Sequence, residues 1–144
     1  YAENASVYIQ KLTELDGQYQ AVVDSASNHT LLFADRFPFR YLMDDYGLSY
    51  YAAFSGCSAE TEASFETVAF LAEKVDALSL PCVLTTETAT HNIARTVVDN
   101  TTAKNQQILV LNSMQSVTAD DVAAGASYLS IMEQNLETLK TALA

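Results

Sequence analysis

The amino-acid sequence predicts an α/β fold of three layers, with helices covering both faces of a four-stranded parallel sheet. Three observations carry this. Four short runs, at 30–34, 48–54, 82–86 and 107–111, are near-continuously apolar rather than alternating, the pattern of strands buried on both faces. Between them lie stretches whose apolar residues recur every three or four positions, the period of an amphipathic helix. The resulting order, α-β-α-β-α-β-α-β-α, is that of a parallel sheet with right-handed crossovers. At 144 residues the chain is one ordinary domain, long enough to bury about two-thirds of its unfolded surface, and no internal repeat or second-domain boundary is visible.

Each element has its own reason. In the first helix Val7 or Tyr8, Leu12, Leu15, Tyr19, Val22 and Ala26 form one stripe, weakened by Gly17. Residues 25–29 read as a stop before the first strand. Pro38 fits the first turn of the next helix, where its missing N–H costs little; Tyr41, Leu42 and Tyr46 continue that helix and Gly47 ends it. The second strand is aromatic, with Tyr50, Tyr51 and Phe54. A long helix then carries Phe65, Val68, Ala72 and Val75 on one stripe, with Leu71 and Leu78 beside it, and Pro81 closes the connection to strand three. A helix over 90–103 turns Ile93, Ala94, Val97 and Val98 inward. After strand four, Thr118-x-x-Asp121 has the form of a capping box, and Leu129, Met132, Leu136, Leu139 and Leu143 stripe the terminal helix.

Composition removes whole classes of function. Seven Lys+Arg against eighteen Asp+Glu leave a net charge of −11, which argues against nucleic acid, because phosphate-backbone affinity needs clustered basic residues. No apolar run reaches the ~20 residues of a membrane span. There is no Gly-x-Ser-x-Gly elbow, phosphate loop or Gly-x-Gly-x-x-Gly, so no catalytic motif stands out. Cys57 and Cys82 are read as two free thiols. As adjacent parallel strands, two and three would hold the cysteines at opposite strand ends, about 17 Å apart, whereas a disulfide tolerates about 7 Å.

Ligands in an open parallel sheet bind beyond the carboxyl ends of the strands. The residues there are Asp35 and Arg36; Ser55, Gly56, Cys57 and Ser58; Glu87, Thr88, Thr90 and His91; and Asn112, Ser113 and Met114. Asp35 is either a helix N-cap or a carboxylate for a metal or polar ligand. Arg36 is a surface residue, a neutralising partner for Asp35 or an anion holder. Glu87 and His91 are an i, i+4 pair if their helix starts early, able to hold a metal together or simply solvated. Cys57 with His91 has the composition of a nucleophile–base pair but no spacing to support it. His29, at the opposite edge, is a turn histidine. The acids of Asp44-Asp45-Tyr46 and Glu60-x-Glu62 read as solvated helix ends, the latter favoured by the helix dipole.

The order of motifs resembles one family. A long helix is followed by a strand, a polar position, a short aromatic helix ending in Tyr46-Gly47-Leu48, and a second strand. Then come Ala59-Glu60-Thr61-Glu62, Val83-Leu84-Thr85-Thr86-Glu87, Gly125 or Ser127 with Tyr128, and Met132-x-x-Asn135-Leu136. This is similar, over essentially the whole chain, to the carboxy-terminal lobe of the zinc- and manganese-binding solute-binding proteins of ABC importers, the TroA-like group. The resemblance implies a two-lobed carrier with its ion between the lobes. Residues 1–27 would then be part of the long inter-lobe helix and 28–144 the carboxy-terminal α/β lobe, the amino-terminal lobe being absent from this chain. It implies a binding protein, not an enzyme, that captures zinc or manganese and delivers it to an importer permease. It also implies an extracytoplasmic location, as a membrane-anchored lipoprotein or a periplasmic protein. An adhesin or receptor-like module on the same fold is the alternative. Aligned without gaps from Tyr46-Gly47-Leu48, Arg36 falls at the family's ligand histidine and Asp35 one position before it. Arginine cannot ligate, so Asp35 is the expected metal ligand, with Arg36, Glu87, His91, Asn112 and Ser113 lining the cleft. One lobe offers too few ligands for a tetrahedral zinc shell, so the isolated chain is expected to bind divalent metal weakly.

Overall fold

A computed structural model describes residues 1–55 and 62–144. The elements are α1 (Ala2–Ser25), β1 (Thr30–Phe33), α2 (Arg40–Tyr46), β2 (Ser49–Ala52), α3 (Phe65–Leu78), β3 (Cys82–Thr85), α4 (Asn92–Asp99), β4 (Gln107–Val110), α5 (Ala119–Ala123) and α6 (Tyr128–Ala142). The four strands form one parallel sheet in the order β2-β1-β3-β4. The α/β expectation therefore holds, with one correction. Strands two and three are not neighbours, because β1 lies between them; the assumption behind the cysteine-separation argument fails. Cys57 itself, with Gly56, Ser58 and Glu60, lies outside the described residues, while Cys82 is a free, buried thiol.

Alternation along the strands splits the core in two. Leu31 and Phe33 of β1, with Cys82 and Leu84 of β3, face α1, α2 and α6, where Leu15, Tyr19, Val23, Met43, Leu136 and Leu139 close the layer. Leu32 and Ala34, with Val83, face α3 and α4 and meet Val68, Leu71, Val75, Ala94 and Val97. Both sheet faces are thus covered, which is why the strand sequences are continuously apolar.

The elements that begin differently from expectation do so for identifiable reasons. Helix α2 starts at Arg40, so Pro38 lies before its N-cap rather than in its first turn. The intervening segment stays non-helical and buries Phe37 and Phe39 against Phe33, at centroid distances of 5.0 and 5.4 Å. Helix α3 is capped by Ser64, whose hydroxyl accepts the Thr67 N–H at 3.1 Å. That leaves Glu62 ahead of the cap, not in the first turn. Phe65, at the helix's first position, is 80% exposed and Leu78 at its last is exposed too; neither joins the buried stripe. Helix α4 covers only Asn92–Asp99 of the expected 90–103. Val7 and Tyr8 of α1 are exposed, and the first buried side chain of that helix is Leu15. Tyr46 is no solvated end: its ring stacks on Tyr19 at 5.4 Å and its hydroxyl donates to Asp16 at 2.6 Å.

The other signals appear as read. Gly47 ends α2 in the left-handed region at φ 65°. Thr118 and Asp121 form both bonds of the capping box on α5. The His29 ring contacts the Val23 carbonyl at 3.1 Å in the turn before β1. Among the described residues no helix is long and apolar enough to cross a membrane.

Candidate functional site

The chain runs from β1 outward to β2 and then returns to the other side of β1 to lay down β3. Between β1 and β3 the direction of winding reverses, and a crevice opens beyond the strand ends at such a switch point. Asp35 follows β1 there and Thr86 follows β3. Asp35 is buried, and its Oδ2 accepts both the Thr86 backbone N–H, at 3.0 Å, and the Thr86 hydroxyl. The N-cap reading of Asp35 is thereby corrected. The helix begins five residues later with Phe39 as N-cap, because the aromatic segment intervenes, and the carboxylate ties the two central strands together instead.

The other oxygen, Oδ1, has Arg36 Nε at 4.0 Å. The Arg36 Nη2 donates to Thr88 Oγ1 at 2.7 Å, and Thr88 Oγ1 lies 3.3 Å from Thr86 Oγ1. Arg36 thus partners Asp35, one of the roles open to it from sequence. Asp35, Arg36, Thr88 and His91 line one cavity of about 160 Å³, with Phe54 and Asn92 among its other walls. His91 is the N-cap of α4 and adopts a left-handed backbone at φ 63°.

Glu87 and His91 do not form a helical pair, since Glu87 lies in the turn after β3, outside α4. Glu87 serves the neighbouring loop instead. Its carboxylate accepts the Ser113 N–H at 2.7 Å, the Ser113 hydroxyl at 2.8 Å and the Gln115 N–H at 3.1 Å. Burial pushes this carboxyl up. The Ser113 N–H, its own N–H, the Ser113 hydroxyl and the Gln115 N–H together outweigh that and hold it below the usual range. Asn112 is likewise engaged: its Oδ1 accepts the Met114 N–H at 2.8 Å, and its backbone is bound by Asn135. The side chains of Asn112 and Ser113 therefore shape the loop after β4 rather than stand free as ligands.

Asp35, Arg36, Glu87, His91, Asn112 and Ser113 thus share one edge of the sheet but divide into two groups, one around Asp35 and one around Glu87. No group of three or more His, Cys, Asp or Glu able to hold a metal occurs among the described residues. The edge can supply a carboxylate oxygen and an imidazole, which is short of zinc's usual four ligands. Three contributors were not legible as such. Thr86 and Thr88 anchor Asp35 and Arg36, and their only signal was a hydroxyl at a strand end. Asn135 was visible as a motif residue without a role.

Comparisons with known proteins agree with this architecture. The family described as ZnuA, zinc-uptake complex component A periplasmic, matches residues 1–142. The zinc-binding lipoprotein AdcA of Streptococcus pneumoniae (strain ATCC BAA-255 / R6) is 34% identical over 140 residues, 97% of this chain and 27% of AdcA. The high-affinity zinc uptake system protein ZnuA of Bacillus subtilis (strain 168) is 29% identical over 143 residues, 99% of this chain and 43% of that protein. Among solved structures, the Zn(II)-bound ZnuA-like domain of Streptococcus pneumoniae AdcA matches with a TM-score of 0.76 at 33% identity, covering 99% of this chain and 51% of that one. The metal-dependent lipoprotein YcdH from Bacillus subtilis matches with a TM-score of 0.82 at 27% identity, covering 100% of this chain and 53% of that one. The chain therefore spans less than half the length of these curated relatives. A match over residues 1–142 and a shared parallel-sheet fold place the chain in the ZnuA family.

Proposed function

We propose that this chain is the carboxy-terminal lobe of a solute-binding subunit that captures zinc outside the cytoplasm and hands it to the permease of an ABC importer. The observation that carries the reading is the family match over residues 1–142, joined to the gathering of Asp35, Arg36 and His91 around one cavity at the switch point. Asp35 is the ligand this lobe contributes, through Oδ1, and His91 is the only imidazole lining that cavity. The work is that of a carrier: an ion is held and released, and no bond is made or broken. A site divided between two lobes can close around the ion and open at the transporter.

The division of the chain follows. Residues 1–27 are the part of an inter-lobe helix that reaches this lobe, and 28–144 are the lobe. In support, α1 has no buried side chain before Leu15, and Val7, Tyr8 and Ile9 stand exposed on its first half, where an amino-terminal lobe would cover them. AdcA and ZnuA are named as zinc proteins, which favours zinc over manganese. No described residue of the edge favours the adhesin-like alternative.

Calorimetric titration of zinc tests the reading. The full-length protein is expected to bind zinc, and Asp35→Ala to weaken binding at least tenfold. The isolated chain is expected to bind weakly. Sub-micromolar binding by the isolated chain would overturn the divided site, and an unchanged affinity in Asp35→Ala would leave Asp35 only its tie to Thr86.

A further inference from the structure

We propose that Arg36 is the resident counter-ion of Asp35, a built-in cation that the captured metal must displace, so that the Arg36–Thr88 contact and metal binding exclude each other. The inference rests on the zinc-capture reading above and assigns a specificity-setting role within it.

Three ion pairs occur among the described residues. Arg40–Asp44 and Lys140–Glu137 are exposed pairs within single helices. The third, Arg36–Asp35, differs because its acid side chain is only 11% exposed. A carboxylate removed from water needs compensation. Thr86 satisfies Oδ2 with two donors, and Oδ1 is left to Arg36 Nε at 4.0 Å. That oxygen is also the one through which this lobe would meet an ion.

Arg36 is built to leave. Its side chain is 35% exposed, so it can swing into solvent without unpacking the core. Besides the ion pair with Asp35, what holds it among the described residues is one hydrogen bond, to the hydroxyl of the exposed Thr88. A guanidinium does not lose its proton in the physiological range and has no lone pair for a metal. It therefore does not ligate; it can only be moved. Two cations at Oδ1 repel, so the binding-competent form is the one with Arg36 swung out. Apparent affinity falls by the fraction of time that form is populated. With Arg36 in place, the metal-free cleft keeps its buried carboxylate neutralised. When zinc arrives, the two positive charges exchange.

The test measures zinc affinity, by chelator competition, and thermal midpoint with and without zinc, all in the full-length protein. Arg36→Gln is expected to bind zinc at least tenfold tighter than the parent. Its metal-free form should melt lower, so that its zinc-induced shift in midpoint is larger. Thr88→Val, which releases Arg36 without removing its charge, should change affinity in the same direction by less. Arg36→Lys keeps the charge and should stay within about threefold of the parent. The gain of Arg36→Gln must vanish when combined with Asp35→Asn. If the parent binds zinc and Asp35→Asn weakens it, but Arg36→Gln is unchanged or weaker, the counter-ion proposal is wrong and the capture reading stands. A gain that survives Asp35→Asn also overturns the proposal. If neither the parent nor Arg36→Gln binds zinc, the capture reading falls and takes this inference with it.

Discussion

Asn135 holds the backbone of Asn112 at both of its polar groups: its Oδ1 accepts the Asn112 N–H at 2.8 Å, and its Nδ2 donates to the Asn112 carbonyl at 2.9 Å. The side chain acts as a surrogate peptide, fastening α6 to the loop that leaves β4. Asn135 is only 2% exposed, so water cannot replace it. Asn135→Leu keeps the branched shape but leaves buried groups unpaired, each worth about 1–3 kcal/mol. The variant is expected to unfold at lower urea concentration with an unchanged slope.

Glu87 predicts a pH dependence. Its folded carboxyl titrates below its ordinary value because three backbone N–H groups and the Ser113 hydroxyl favour the charged form over the opposing effect of burial. A group with a depressed folded pKa stabilises the protein fully above its unfolded value and loses that contribution as pH falls through the folded one. Glu87→Gln should therefore be less stable than the parent at neutral pH. The gap should narrow once pH drops below the ordinary carboxyl range of about 4.3. Urea titrations across that range measure it, and a gap constant with pH would contradict the assignment.

Cys82 predicts inertness. Burial pushes its thiol up to about 12, so almost no thiolate exists at neutral pH. In a Cys57→Ser background, where Cys82 is the only remaining cysteine, a colorimetric thiol reagent is expected to read close to zero in native buffer and one thiol per chain in urea.

Two glycines predict opposite signs for the same substitution. An added Cβ would meet nothing within 4 Å at either Gly17 or Gly47, so space does not decide. Gly17 lies inside α1, and Gly17→Ala should stabilise by about 1 kcal/mol through helix propensity. Gly47 sits at φ 65°, and Gly47→Ala should destabilise by about 1–2 kcal/mol through backbone strain. Thermal midpoints of the two variants should move in opposite directions.

The strands and the buried faces were readable because each is written locally. Leu31, Leu32, Phe33, Val83 and Leu84 are consecutive apolar residues, and Leu136 and Leu139 fall three positions apart on one helix face. Helix starts were less readable where something non-helical competed. Phe37-Pro38-Phe39 reads as the opening of a helix, yet burying two rings against Phe33 keeps that segment out of the helix and moves the helix away from Asp35. The polar edge was readable as a location only. That Asp35 would choose Thr86, and Glu87 would choose Ser113, depends on partners 51 and 26 residues away, brought near by sheet order. A spacing rule such as i, i+4 for Glu87 and His91 reports on helices and is silent about one residue in a turn and another at a helix N-cap.

Helix α1 is 24 residues long, about 36 Å at the helical rise, yet only its second half is seated. There the Tyr19 hydroxyl donates to the Met132 carbonyl at 2.6 Å, and Asn135 stands one turn further along α6. A tilt of the exposed first half about Tyr19 would therefore pull first on the Met132 carbonyl, and next on the Asn135 clasp that fixes the backbone of Asn112 in the loop after β4.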